Sequence, residues 1–438
     1  MTTFDVTAAN AMLKTVFQDP LFDGVVLHSR VIDLYTQNSN VRDGPQGRFV
    51  ELAHMFGYNE GIGSRNEDGF LPVPGNPTFV NGRVTLKKTL AVAQMTRNVM
   101  ANAVKSKAAF ADWADVELTK TERGLQSDLD RQAIGFGSGI VCRIDDASPD
   151  ETLDIDAPYG LASDTKGWTP GLRRGMRIVA GPNADGSALR NSAKSALILS
   201  VNKAGNTGGG TLTIDAMPSD WAQNDYIFRG DDLGNNAPVS GTEVEMMGLL
   251  GFNDDGTVLD TLQNISRTDF DEWKAQVVDA SAAPYSAAAS ETLFLRMADD
   301  AEELGGGNTT HFLMSKAVFR NVFVQLQKQL GFGAATGPDN VVGGHKGIRI
   351  NLGDRTVELR GLPKMPPGRI WGLDREVLWR YHLSGFEWDD TTGTIWKQVA
   401  VGQGIKDAWY AYGRTEMELG CSDPQRLVFA TGLSETLG

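Results

Sequence analysis

Residues 59–77, NEGIGSRNEDGFLPVPGNP, carry glycine, proline and charge where an apolar pattern would be needed, yet strand-like runs flank them on both sides. Before them GRFVELAHMFGYN, 47–59, alternates, with Phe49, Glu51 and Ala53 on one face and Val50, Leu52 and His54 on the other. After them TFVNGRVTLKKTLAVAQMT, 78–96, sets Val84 and Leu86 against Arg83, Thr85 and Lys87. A connection this long with no structure of its own is uncommon inside a packed domain and marks a projecting or functional loop. Two strands with such a tip make a β-arm, and an isolated two-stranded ribbon is marginal in water. The arm therefore leans on something else, and the simplest candidate is a neighbouring copy of the chain.

The next stretch is helical. Ala111, Ala114, Leu118, Leu125, Leu129, Ala133 and Phe136 recur at steps of three, four or seven, while Asp112, Asp115, Lys120, Arg123, Asp128 and Arg131 occupy the other face. A helix from about Lys107 to Gly135 is ~40 Å long at 1.5 Å per residue. Gly124 in its middle costs roughly 1 kcal/mol relative to alanine, which predicts a bend or a close approach there. The glycines that follow, Gly135–Gly139 in DLDRQAIGFGSGI, resemble a phosphate cradle at first sight. A cradle needs its glycines before a helix, where the N–H groups and dipole meet the anion. These come after one, and left-handed residues at that place end a helix.

Bulk properties narrow the classes. At 438 residues the chain has room for two or three compact bodies, and 50 glycines with 17 prolines favour turns, short strands and long loops over a helical bundle. The net charge of −14 argues against a coat for nucleic acid or anionic membrane, while leaving room for a small basic patch. Cys142 and Cys421 form no C-x-x-C, so a reduced folding compartment is expected. No basic-then-apolar leader opens the sequence and no apolar run is long enough to span a bilayer, so a soluble protein without membrane contact is expected.

The order of arm, long β-loop, single long helix and strand-rich body resembles the major capsid proteins of tailed bacteriophages, the Johnson-fold shell proteins. The resemblance is carried by GRFVELAHMFGYNEGIGSRNEDGFLP at 47–72, TFVNGRVTLKKTLAVAQMT at 78–96 and WADVELTKTERGLQSDLDRQAIGFGSGI at 113–140. GLLGFNDDGTVLDTLQNISRTDFDEWKAQ at 248–276, GRIWGLDREVLWRYHL and KDAWYAYGRTEMELGCSDPQRLVF complete it. It covers most of the chain, and its strength lies in the order of loose motifs. It implies an α+β capsid fold with an N-terminal arm at 1–46, an extended β-loop at 47–96, and a spine helix with the start of a peripheral domain at 97–167. The axial domain and the remainder of the peripheral domain follow at 233–438. Some relatives carry a long N-terminal scaffolding segment, for which the short arm leaves no room, so a separate scaffolding protein is the implied partner. Others crosslink a loop lysine to a neighbour's asparagine; Lys87 and Lys88 lie in the arm, but no asparagine or catalytic acid is assigned.

Between 168 and 232 short apolar runs recur, MRIVA, ALILSVN, GTLTIDA and DYIFRG, which predicts an inserted small barrel or sandwich decorating the shell. The acidic stretch 142–166 lacks the spacing of a calcium loop and reads as solvated loop, and NDDG at 253–256 fails the same test. Residues 284–303 predict a helix with Leu293, Met297 and Ala301 in step, closed by the glycines at 305–307. A strand (HFLMS) and a helix presenting Val318, Val322, Gln325 and Gln329 come next, then a loop at 331–347. Trp371, Trp379 and Trp388 fall on strand-like segments and are expected to pack cores or interfaces.

No active site is legible. His28, His54, His311, His345 and His382 are scattered, without H-x-x-x-H or H-E-x-x-H, and G-x-S-x-G is absent. The expectation is therefore a non-enzymatic structural protein with no catalytic, cofactor-binding or metal residues and no cofactor. It is read as a major capsid subunit, self-assembling into hexamers and pentamers of an icosahedral shell around double-stranded DNA held without sequence specificity. Its other partners would be a portal and decoration proteins, and its place the virion, after assembly in the host cytoplasm. Arg30, Arg42 and Lys105 are candidates to face DNA. Two alternatives stand beside this reading: an encapsulin-type compartment shell, and a β-rich glycan-binding or glycan-cleaving protein resting on 168–232 and the acidic loops.

Overall fold

The computed structural model describes residues 31–38, 42–44, 47–57, 59, 61–96, 107–161, 170–184, 186, 188–190, 195–202, 210–230, 245–330, 348–352, 355–390, 394–401 and 404–435. Most of the arm at 1–46, with Arg30, and also Lys105 and the loop 331–347 lie outside these residues. The chain divides into two units: residues 1–32, 87–246 and 382–417 make the first, and 33–86, 247–381 and 418–438 the second.

In the second unit, β1 (Thr36–Asn38) lies parallel to the start of a later strand, with Thr36 opposite Trp379. A three-stranded antiparallel sheet follows, β2 (Arg42–Gly44), β3 (Gly47–Phe56) and β4 (Thr78–Thr85) in that order. β3 and β4 pair from Phe49 opposite Thr85 to Phe56 opposite Thr78. β5 (Lys87–Thr96) belongs to the first unit, so the run expected as one strand over 78–96 is two. Leu86 stands between them, and the buried positions change phase across it, from Gly82 and Val84 to Ala91, Ala93 and Met95. Because strand side chains alternate with a period of two, a one-residue offset lets consecutive segments bury opposite faces in two different sheets.

The predicted helix is α1 (Lys107–Gln132), 26 residues long, and the glycines do follow it: Gly137 and Gly139 take left-handed φ of 76° and 81° on the way into the next strand. Its inward residues Leu125 and Leu129 pack with Ala91 of β5 and with Met246. The close approach at Gly124 is made by Arg173, whose Nη1 donates to the Gly124 carbonyl at 3.3 Å.

Six strands then close a barrel: β6 (Ile140–Ile144), β7 (Thr152–Asp156), β8 (Arg177–Gly181), β9 (Ala196–Asn202), β10 (Gly210–Ile214) and β11 (Tyr226–Arg229). The expected β-domain boundary at 168 thus falls too late, and the acidic stretch expected as loop contains β7. The four strands of 168–232 alone would leave two open edges, and β6 with β7 join β11 to β10 and remove both. Leu153 and Ile155 turn inward while Asp154 faces water, and Arg143 grips the buried Asp156 in a two-pronged ion pair at 3.1 and 2.8 Å.

After the hairpin β12 (Thr261–Leu262) and β13 (Ile265–Ser266) come β14 (Gln276–Asp279), α2 (Glu291–Gly305), β15 (His311–Ser315) and α3 (Lys316–Leu330). The helix expected from 284 starts at 291. Ser286 and Ala287 have positive φ of 51° and 59°, outside the helical range, and Ser290 caps the first turn by accepting from the Leu293 amide. β16 (Ile348–Leu352), β17 (Arg355–Leu362), β18 (Ile370–Leu373) and β22 (Val428–Thr431) complete a six-stranded mixed sheet in the order β14-β22-β18-β15-β17-β16. Leu293, Phe294, Met297 and Ala301 of α2 and Val318 and Val322 of α3 pack on Phe312, Met314, Val357, Leu359 and Ile370 in the main core of this unit. Each large side chain buried there contributes about 1.5–3 kcal/mol. Between β18 and β22 run β19 (Leu378–Trp388), β20 (Lys397–Val401) and β21 (Gly404–Cys421), and β5 pairs with β21 over Ala408–Met417. Trp371 is fully buried against Phe429, Trp379 packs beside Tyr381, and Trp388 donates to Glu122 at 2.7 Å.

The C-terminal turn of α1 is held by buried charge. Asp128 meets Arg131 at 3.2 Å, Arg229 at 2.6 Å and the Gln132 amide at 3.0 Å, while Arg131 also reaches Glu245 at 2.6 Å. Burial works against the Asp128 carboxylate, yet Arg131 and Arg229 beside it hold its pKa well below the usual range. A depressed carboxyl stabilises the fold above its unfolded pKa, and that contribution is lost as pH falls. Asp128→Asn takes one carboxylate from both arginines, leaving Arg131 with Glu245 and Arg229 partly in water, and is expected to cost about 1–3 kcal/mol at neutral pH. In thermal melts of the isolated chain, the gap between wild type and variant should narrow below about pH 4.

Candidate functional site

The β3–β4 ribbon is half covered and half bare, and the division follows the sequence alternation. On its inner face Val50 and Val84 are buried with Tyr381, Phe56 stacks on Phe270 at 4.6 Å, and His54 lies 4.4 Å from Trp273. Arg83 sits over the Phe49 ring at 4.0 Å, and its backbone N–H donates to the Gln263 carbonyl of the β12–β13 hairpin at 2.7 Å. Burial lowers the His54 pKa, so its ring packs as a neutral aromatic group.

The segment that supplies Phe270 and Trp273 has little regular structure of its own and closes around one arginine. Arg267 is fully buried and donates to the carbonyls of Gly251 (2.7 Å), Leu259 (2.9 Å), Trp273 (3.2 Å) and Phe252 (3.4 Å) and to Asp254 (3.3 Å). The Asp254 carboxylate also accepts the amides of Gly256 at 3.1 Å and Leu259 at 2.8 Å. The NDDG run is thus a backbone-tied turn, its key oxygens already occupied.

Beyond the root the ribbon opens into 61–77. Asn59 ties the neck of this loop, its Oδ1 accepting from Gly61 N at 2.9 Å and Gly75 N at 2.7 Å. A tight turn at the far end is closed by Gly69 N donating to Asn66 O at 2.9 Å. Ile62, Phe70, Leu71 and Val73 are 85–95% exposed, and on the outer ribbon face the cross-strand pair Met55 and Phe79 is 54% and 65% exposed. Large apolar side chains gathered this way on a surface mark an interaction site. The expectation that all of 47–96 finds its complement on another molecule is narrowed accordingly. The root packs within its own unit and β5 pairs with β21, leaving the tip uncovered.

The remaining chemistry-bearing residues are not brought together. His311 faces Glu358 at 3.7 Å, and burial, with Arg360 nearby, lowers its pKa to about 4. His382 lies in β19, and His28 and His345 fall outside the described residues. Cys142 sits in the barrel strand β6 and Cys421 at the end of β21; burial raises both thiols far above their ordinary range. Among the described residues no three His, Cys, Asp or Glu side chains are grouped to hold a metal, and no helix is long and apolar enough to cross a membrane. Sequence reading missed Asn59 and Arg267. A single polar residue before a glycine-rich loop is the only local sign of Asn59, and Arg267, set among polar and acidic neighbours, has none.

No protein-family model matches the chain, and no curated protein matches it in sequence. Solved structures do match. A chain of the cyanophage A-1(L) capsid asymmetric unit superposes with a TM-score of 0.54 at 9% identity, covering 98% of this chain and 99% of that one. A chain from the capsid of the native GTA particle gives 0.48 at 9% identity over 98% and 99%, and one from the capsid of Myoviridae phage XM1 gives 0.45 at 7% over 97% and 98%. The first shows a shared fold along almost the whole of both chains: a strand-rich α+β architecture with few helices, as in a phage capsid.

The neck of the loop can be tested by itself. Asn59→Ala removes two exposed hydrogen bonds of about 1 kcal/mol each, so proteolysis within 61–77 should quicken about thirtyfold while the melting of the rest of the chain stays unchanged.

Proposed function

We propose that this chain is the repeating subunit of an icosahedral phage shell, assembling as hexamers and pentamers around double-stranded DNA. The observation that carries the reading is the end-to-end fold likeness to a phage capsid chain. The bare apolar tip at 62–73 supports it, since such a surface on an otherwise strongly acidic chain calls for a partner.

In this reading 47–96 is the extended loop, α1 the spine helix, and the sheet β19–β21 with β5 the peripheral domain. The six-stranded sheet with α2 and α3 forms the axial domain, and the barrel of 140–229 is an insertion. The tip of each ribbon lies on an adjacent subunit. Interfaces of this obligate kind bury upwards of about 2,000 Å2. Modest contacts repeated around a closed shell become effectively permanent through multivalency. A separate scaffolding protein, a portal and decoration proteins are the further partners, and packaged DNA contributes no sequence-specific contact. The mechanism is assembly, with no reaction catalysed.

Co-expression with a scaffolding protein, followed by electron microscopy and sedimentation, tests this. Closed shells are expected from the wild type. Deleting 60–77 should leave a folded subunit that sediments as free capsomers or monomers; closed shells from that variant would remove the arm from the mechanism. A wild type confined to a few subunits under every assembly condition would overturn the shell reading. Shells filled with a protein cargo in place of DNA would favour the encapsulin-type alternative.

A further inference from the structure

Three arginines gather in the first unit where α1 runs past the barrel. Arg131 is neutralised on two sides, by Asp128 at 3.2 Å and Glu245 at 2.6 Å. Arg229 reaches Asp128 at 2.6 Å and keeps 38% of its side chain exposed. Arg173 differs from both. Among the described residues its hydrogen bond goes to the Gly124 carbonyl, at 3.3 Å, and no carboxylate lies within ion-pair distance. A Cβ added at Gly124 would stand 3.4 Å from Nη1 and 3.5 Å from Nη2, so the guanidinium lies in ordinary contact range of the helix at this point. Burial, then the like charge of Arg229, lowers the Arg173 pKa, with Asp128 opposing. Among the described residues, then, a partly buried cation stands beside another cation with an incomplete set of acceptors. A guanidinium left in that position is matched by an oxyanion that takes two of its N–H groups.

The ribbon tip shows the opposite imbalance. Glu67 and Asp68 stand in the turn closed by Gly69, both exposed, with no ion pair or hydrogen bond to either carboxylate among the described residues. The acidic turn runs directly into the bare side chains of Phe70 and Leu71. Both halves of a charged contact are therefore present in one sequence, each without a charged partner among the described residues of its own unit.

We propose that Arg173 and Arg229 form a carboxylate-binding site filled by the Glu67–Asp68 turn of a second copy. This deepens the shell reading and rests on it, because it names where each ribbon tip is received. The site selects a carboxylate in a fork-to-fork geometry, and the apolar residues beside the turn exclude water from the pair. A nucleic-acid phosphate shares the anionic chemistry, but a chain of net charge −14 repels a polyphosphate while matching a local acidic turn whose own neighbours are apolar.

A charge swap tests the pairing. Arg173→Glu alone, and Glu67→Arg with Asp68→Arg, should each cut the yield of closed shells by at least about tenfold, since like charges then face each other. Combining all three substitutions should restore the yield to within about threefold of wild type, the mark of direct coupling. A combination no better than its parents, or normal closure by Arg173→Glu, overturns the proposal. Normal closure with loss of packaged DNA would assign the anion to nucleic-acid phosphate and equally overturn it. A second measurement covers a reversal that fails to fold. Chains carrying Glu67→Cys are co-assembled with chains carrying Arg173→Cys and oxidised, with Cys142 and Cys421 too buried to compete. A disulfide-linked dimer is expected; its absence from well-formed shells sinks this inference alone, whereas failure of the wild type to close shells sinks the shell reading.

Discussion

An exposed two-stranded ribbon survives only if its root is held, and here the root is held by aromatic packing that depends on one buried arginine. Phe56 on Phe270 and His54 beside Trp273 fix the inner face of β3, and Val50 with Val84 is sealed by Tyr381. Phe270 and Trp273 stand in a segment with almost no secondary structure to satisfy its backbone. Arg267 takes that role by placing its N–H groups on four carbonyls and Asp254. A buried guanidinium is costly unless all its donors are matched, and these are. The arrangement turns an irregular loop into a rigid seat for the ribbon.

From that seat the alternation of side chains does the sorting. Even-numbered positions of β3 face the root and odd-numbered ones face away, until the loop beyond Asn59 exposes Ile62, Phe70, Leu71 and Val73 altogether. The root is thus covered within its own unit while the largest apolar side chains of the loop stay in water. The first unit uses charge in the same double way. Asp128, Arg131 and Glu245 complete one another inside, while Arg173, beside Gly124, meets no carboxylate within ion-pair distance among the described residues.

Much of this was legible in local pattern. The stripe from Ala111 to Phe136 announced α1, and the glycines after it were rightly taken as its end, because capping and periodicity act within a few residues. Leu293, Met297 and Ala301 likewise announced the buried face of α2, although its start moved to Glu291 once Ser286 and Ala287 took positive φ. The barrel was half seen. Its four strands within 168–232 are short and regular, but β7 lies in an acidic stretch where only Leu153 and Ile155 alternate, too few positions to outweigh the charge around them. The phase change at Leu86 was invisible, since TFVNGRVTLKKTLAVAQMT alternates plausibly in either register.

Local pattern thus sets the elements, the faces they present and the polar, glycine-rich character of the loop at 59–77, because helix and strand periods, caps and turns are properties of neighbouring residues. Which edges meet is a matter of the long-range fold: β6 and β7 close the barrel, β5 leaves β4 for β21, Arg267 supports the ribbon's root, and Arg173 reaches the Gly124 carbonyl. Those pairings join residues tens to hundreds of positions apart, and their free energy exists only once the intervening chain has folded to bring them into contact.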